Sequence, residues 1–296
     1  MKTNILYKLG IAALLAALLM LTGCKDSFLE VEPGKKMTLT EYFSTDEHIY
    51  EAVAATYHPM RLFDWNGATY NPINICSEVM TDNFWAGGAD LNDYTYWHYM
   101  EDFKADPLHT LDGIWKQCYL GVKNANDVLS YVETGKDKIT AEHQKLYTEE
   151  AMVLRAFYYC QLWKFYGYIP VYMKNLTSPY TCEQSAPDAA YDAIITSLEE
   201  AIAIGALPMQ WDDANLGRVN RATAYMLYAE MVMYQNDESR YSKALEYMRQ
   251  IINSGKFALH DNYAALWTKE GEWTKESIFE INYTDGPNGK RAYGGG

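Results

Sequence analysis

The chain has 296 residues, 49% of them hydrophobic and 15% aromatic, with 26 Tyr and 8 Trp. Such a composition can bury a large core, which excludes disorder for most of the chain. The formal charge of −14 gives an acidic surface that repels nucleic-acid phosphates and anionic headgroups, so DNA or RNA binding is not expected.

The N-terminus is built like a secretory signal. Lys2 and Lys8 supply the positive start, and Ile11 to Leu21 is an unbroken apolar run. That run is too short to span a bilayer, which takes about 20 apolar residues, so 1–23 reads as a signal peptide. Leu21-Thr22-Gly23-Cys24 resembles the lipobox of bacterial lipoproteins. The resemblance implies cleavage before Cys24, a lipid on its sulfur and amine, and a membrane tether through that lipid only. Loss of Lys2 and Lys8 would move the charge from −14 to about −16. Residues 24–36, polar and carrying Pro33 and Gly34, read as a tether, and 37–296 as one helical domain. No second long apolar run follows, so that domain is expected to be soluble.

Helical periodicity dominates the remainder. Thr45, Asp46 and Glu47 make a helix start, Ile49, Ala52, Val53, Thr56 and Tyr57 share a face, and Pro59 ends it. Residues 61–109 lack helical spacing and are rich in Asn, Asp, Gly and aromatics, which reads as long loops with at most short helices. From Thr110 a stripe of Ile114, Cys118, Val122, Ala125, Leu129 and Val132 runs to Gly135. Thr140 caps the next helix, whose stripe is Tyr147, Ala151, Leu154, Tyr158, Leu162 and Phe165, ended by Gly167 and Pro170. Ser185 and Pro187 open another with Tyr191, Ile194, Leu198, Ala201 and Ile202, closed by Gly205. Asn220 starts a fourth with Ala222, Tyr225, Ala229 and Val232, and Asn236-Asp237 turns the chain into Tyr241, Ala244, Leu245, Met248 and Ile251, ended by Gly255. The last pair has the length of a tetratricopeptide unit, about 34 residues. The expected fold is mainly all-α, a tetratricopeptide-like helix-pair superhelix with long aromatic-rich loops. Ser277 to Tyr283 alternates and reads as a short strand.

Cys76, Cys118, Cys160 and Cys182 lie far apart with no Cys-x-x-Cys, and three pairings are open to them. Their helical or aromatic settings favour free buried thiols. No His-Glu-x-x-His, Gly-x-Ser-x-Gly, P-loop or Gly-x-Gly-x-x-Gly is present, and the six histidines are scattered. No catalytic residue, metal or cofactor is therefore expected. Glu149-Glu150 and Glu199-Glu200 read as solvated helix faces, and Asp285-Gly286 and Asn288-Gly289 as turns. Arg155, inside an apolar stripe, is expected to pair with a carboxylate or with backbone carbonyls. Trp163, Phe165, Tyr166 and Tyr168 are expected to pack in the core.

The stretch from Glu149-Glu150 through Leu154-Arg155-Ala156-Phe157-Tyr158-Tyr159 to Gly167, Pro170 and Val171 is similar to the signature helix of the SusD/RagB family, surface lipoproteins of Bacteroidetes that work in nutrient uptake. Gly217-Arg218-Val219-Asn220-Arg221-Ala222-Thr223-Ala224, Ser254-Gly255-Lys256-Phe257 and Glu276-Ser277-Ile278-Phe279-Glu280 agree in order. So do Tyr119, Gly121, Asn124 and Asn126, and the start Cys24-Lys25-Asp26-Ser27-Phe28-Leu29, whose Lys25-Asp26 resembles a surface-export signal. Members are usually much longer, so this chain resembles the N-terminal part of one. The resemblance implies a lid on a TonB-dependent, SusC-like outer-membrane barrel that captures oligosaccharide outside the cell. Peptide capture on the same scaffold, a helical-toroid glycoside hydrolase and a structural tetratricopeptide adaptor are the alternatives.

Sugar rings present apolar C–H faces on which flat aromatic rings stack, while neighbouring polar side chains take the hydroxyls. Between Asp64 and Tyr99 lie three Trp and four Tyr, interleaved with Asp82, Asn83, Asn92 and Asp93. Exposed aromatics on loops are hard to explain as packing. The candidate ligand residues are Trp65, Asp82, Asn83, Trp85, Tyr96 and Trp97, with Trp85 foremost because Gly87-Gly88 beside it permits close approach.

Overall fold

In a computed structural model of the chain, residues 37–62, 73–110 and 112–281 are described. The signal peptide, Cys24, Trp65, Tyr70 and the turns at 285–289 lie outside the described residues. The chain divides after Tyr42. The described residues of the first part hold one helical turn, α1 (Leu39–Tyr42), where the Thr38 N–H donates to Glu41 Oε2 at 2.8 Å and the Glu41 N–H to Thr38 Oγ1 at 3.2 Å.

The second part, taken by itself, is helical: α2 (Asp46–Tyr57), α3 (Ile73–Glu78), α4 (Thr95–Glu101), α5 (Asp112–Gly135), α6 (Ala141–Tyr166), α7 (Pro187–Ile204), α8 (Arg221–Gln235) and α9 (Tyr241–Asn253). Three of the helices, α2, α6 and α8, begin where side chains satisfy orphan N–H groups of the first turn. Thr45 Oγ1 accepts from the His48 N–H, Thr140 Oγ1 from the His143 N–H, and Asn220 forms a reciprocal capping box with Thr223. Gly205 and Asn236 end α7 and α8 in the left-handed conformation, φ 68° and 60°.

From α5 onward each helix packs on the next, α5 on α6, α6 on α7, α7 on α8 and α8 on α9, which gives the tetratricopeptide-like array. Ile114, Cys118 and Val122 of α5 meet Leu154, Tyr158 and Leu162 of α6 in the main core. Gly121 sets their separation: a Cβ there would lie 2.2 Å from the Tyr158 ring. A second core joins Ile49 and Val53 of α2 to Ala125, Val128 and Ala151. Tyr225 and Tyr247 stack at 4.1 Å and 4° across the α8–α9 hairpin. Each fully buried aliphatic side chain contributes about 1.5–3 kcal/mol. Among the described residues the strands are one antiparallel pair, β1 (Ile169–Pro170) with β2 (Gln184–Ser185).

Several sequence expectations are revised. Residues 277–281, the described part of the expected strand, are irregular, and among the described residues no strand pairs with them. Leu245, assigned to a core stripe, is 50% exposed. Tyr168 is exposed because Gly167 (φ 68°) breaks the helix before it and carries it off the buried face. Arg155 is buried and meets the second of its two expected kinds of partner, a backbone carbonyl, at Met173 (2.8 Å), with the Asn126 Oδ1 (2.8 Å) and the Ser197 hydroxyl (2.9 Å) beside it. Thus it ties α5, α6, α7 and the turn after β1 together. The four thiols Cys76, Cys118, Cys160 and Cys182 are free.

The largest revision concerns Glu149 and Glu150, both fully buried rather than solvated. Burial of a carboxylate requires partners, and these come from far along the chain. Glu149 Oε2 accepts the Ala206 (2.5 Å) and Leu207 (2.9 Å) N–H groups left open after α7, and burial raises its pKa. Glu150 is gripped by Arg218 and accepts the Tyr57 hydroxyl at 2.5 Å.

Candidate functional site

The segment 79–110 carries several exposed aromatics, as do positions outside it such as Tyr180, Tyr263 and Trp267, and its turns are built from its own polar side chains. Asp90 Oδ1 accepts the Asn92 N–H (2.7 Å) and Asp93 Oδ2 the Ala89 N–H (3.1 Å), so Asn92 and Asp93 serve the loop itself. Gly87 and Gly88 sit at φ 71° and 88°, and a Cβ on Gly88 would press on Asp93 at 3.1 Å. Their role here is the turn geometry that only glycine adopts without strain. Asp106 Oδ1 accepts from the Leu108 N–H, the His109 N–H and His109 Nδ1, and these bonds lower its pKa.

Trp85 stands 74% exposed on this frame and makes no ring contact among the described residues. Asp82 and Asn83 are exposed beside it, and neither side chain has a hydrogen-bond partner among the described residues. Tyr96 is half-exposed and leans toward His109 (6.1 Å), whose ring lies flat on Tyr99 at 4.3 Å and 9°. Trp97 departs from expectation: it is 8% exposed, on the inward side of α4. The helix begins two residues before it, so the loop reading mistook a core anchor for a contact residue. Tyr94, at the left-handed N-cap of α4 (φ 54°), stacks on Trp97 at 4.9 Å and 19° and presents the exposed ring. Sequence reasoning missed Tyr94, although it lay within the aromatic cluster. Nothing in the sequence singled it out from the neighbouring rings, because the start of α4 was not legible there.

A second concavity, of ≈ 410 Å³, is lined by Tyr50, Tyr57, His58, Arg61, Glu150 and Arg218 among others. Arg218 donates Nε to Glu150 Oε1 (3.1 Å), Nη2 to Glu150 Oε2 (2.5 Å) and Nη1 to Asn215 Oδ1 (3.1 Å). Its guanidinium lies over the Trp211 ring at 4.2 Å and the Tyr50 ring at 5.3 Å. Tyr57 also accepts the Val219 N–H (2.9 Å), and burial with the Glu150 charge raises its pKa well above normal. The charged groups are thus consumed internally, and the arrangement is a latch joining α2, α6 and the turn before α8. Among the described residues no group of three or more His, Cys, Asp or Glu side chains is arranged to hold a metal ion.

An all-α array of helix pairs with exposed aromatics at 79–110 defines a tetratricopeptide-like scaffold. Residues 27–233 match the SusD-like family model described as starch-binding and associating with the outer membrane, and the chain belongs to this SusD/RagB family. Surface glycan-binding protein A from Bacteroides uniformis is similar in structure, with TM-score 0.77 and 47% identity over 81% of this chain and 53% of that one. Its counterpart from Bacteroides thetaiotaomicron, solved with laminarihexaose, gives TM-score 0.76 and 46% identity over 81% and 50%. A SusD-like protein of Formosa agariphila is 22% identical over 277 residues, 87% of this chain and 49% of that protein. The chain therefore spans about half the length of the relatives it matches.

Proposed function

We propose that this chain captures oligosaccharide at the outer membrane without cleaving it, held by a lipid on Cys24 on the outward face, and passes it to a TonB-dependent, SusC-like barrel. The observation that carries this reading is the set of exposed rings Trp85, Tyr94 and Tyr96, on the loop before α4, at its N-cap and in its first turn, beside turns whose own hydrogen bonds are satisfied internally. Asp82 and Asn83 supply open polar groups beside it. Rigid aromatics of this kind bind at low entropic cost. Trp97 serves as the support under Tyr94, and Trp65 is a further candidate by sequence alone. The 46% identical relative solved with laminarihexaose supports a β-1,3-linked glucan as ligand.

Isothermal titration with laminarihexaose tests this. Trp85→Ala is expected to weaken binding on the order of tenfold, roughly 1.4 kcal/mol, with the melting temperature unchanged. Undiminished binding when Trp85 and Tyr96 are both replaced by Ala sinks the role of these rings. Retention of peptides in place of every glucan offered, or release of reducing ends, overturns the glycan-capture reading.

A further inference from the structure

A separate cleft of ≈ 430 Å³ opens where α3, the C-terminal part of α6 and the end of α8 meet. Its volume falls in the range of small-ligand sites, about 300–1,000 Å³. Met80 and Phe165 give it apolar walls. Tyr234 stands at its edge, 60% exposed, with its ring held edge-on by Trp163 at 5.0 Å and 69°. Lys164 and Glu230 form an ion pair at 2.5 Å beside it, with Lys164 lining the cleft.

Gln161 is the telling residue. It is only 8% exposed as a residue and lines the cleft, and its amide, which reaches solvent there, has no hydrogen-bond partner among the described residues. An amide open to the cleft that the protein does not satisfy is met by water or by a ligand. One amide presents a donor and an acceptor side by side, which matches a pair of adjacent hydroxyls. The Tyr234 ring matches the C–H face of a pyranose. An anionic ligand is disfavoured because Glu230 already balances Lys164, and a purely apolar one would leave Gln161 unpaired.

We propose that this cleft is a second sugar site that takes one neutral hexose unit, with Gln161 binding its hydroxyls and Tyr234 its ring face. The choice of ligand class rests on the glycan reading above, but the residues are distinct from those exposed rings.

The test follows the ¹³C-methyl resonance of Met80, assigned with Met80→Leu, while D-glucose and then laminarihexaose are titrated into the full chain. The resonance is expected to shift with both sugars and to do so in Trp85→Ala as well. Gln161→Leu is expected to weaken that response about five- to tenfold, and Tyr234→Ala, at an exposed position that leaves the fold intact, to weaken it likewise. An unmoved Met80 resonance with both sugars overturns the proposal. So do superimposable curves for wild type and both variants, or loss of the response in Trp85→Ala. A Met80 response that persists while Trp85→Ala leaves total glucan retention unchanged would instead sink the role of the exposed rings and keep this site.

Discussion

Arg218 and Glu150, 68 residues apart in sequence, meet in a two-point contact of 3.1 and 2.5 Å in which Glu150 is fully buried and the Arg218 side chain is 13% exposed. One carboxylate thereby fastens the turn before α8 to α6, and through the Tyr57 hydroxyl to α2. Removing one partner leaves an uncompensated buried charge. Arg218→Met is expected to cost about 3–5 kcal/mol in urea denaturation, and the double variant with Glu150→Leu to recover much of that loss. A single-variant effect below about 1 kcal/mol would reduce the pair to a surface-type contact.

Glu149 predicts a pH dependence of definite sign. Its folded pKa lies above the ordinary 4.5 because burial disfavours the charge, so near and above that pH the native state binds more protons than the unfolded chain. Stability falls as pH rises from about 4.5 through the raised value and stays lowered beyond it. Glu149→Gln keeps an acceptor for the Ala206 and Leu207 N–H groups without the charge. The variant's stability advantage over wild type is expected to grow across that window. An advantage that shrinks with rising pH contradicts the assignment.

The contact between α5 and α6 depends on a missing side chain. Gly121→Ala would drive a methyl into the Tyr158 ring, which is pinned by its hydroxyl on the Thr56 carbonyl at 2.5 Å. Overpacking of this kind costs about 1–3 kcal/mol. A melting temperature equal to wild type would mean the helices can separate freely.

Trp85 and Trp97 are expected to separate cleanly. Trp97→Ala should destabilise by about 3–5 kcal/mol, as for other buried Trp truncations, while Trp85→Ala leaves stability within about 0.5 kcal/mol. Thermal melts decide this, and equal effects on both would undo the distinction between anchor and exposed ring.

Among Cys76, Cys118, Cys160 and Cys182, only Cys182 is partly exposed. Burial pushes the Cys76 and Cys160 thiols up to about 12 and Cys118 higher still. Since the thiolate is the nucleophile, a thiol reagent at neutral pH is expected to label Cys182 first and the others only on unfolding. Fast native labelling at Cys118 would contradict the α5–α6 packing.

Much of the fold was legible because its causes are local. Thr45, Thr140 and Asn220 mark helix starts through bonds made within three residues, and the stripes of α5 and α6 recur at helical spacing. The site was half legible. Aromatic density in 79–110 pointed to the region, but which ring faces water depends on where α4 begins, which puts Tyr94 at its exposed N-cap and Trp97 on its buried side. Gln161 carried no signal, since a glutamine in a helix is ordinary until its neighbours leave its amide unpaired.

By itself, then, the sequence determined the long helices and most of their apolar faces, with the caps at Thr45, Thr140 and Asn220, because propensity and periodicity act over one or two turns. Only the tertiary structure decided that Glu149 and Glu150 are buried, that Arg218 closes a latch, and that Trp97 is an anchor. Each of those outcomes depends on a partner brought close by folding, and a carboxylate's solvation is set by that partner rather than by the residues beside it in the chain.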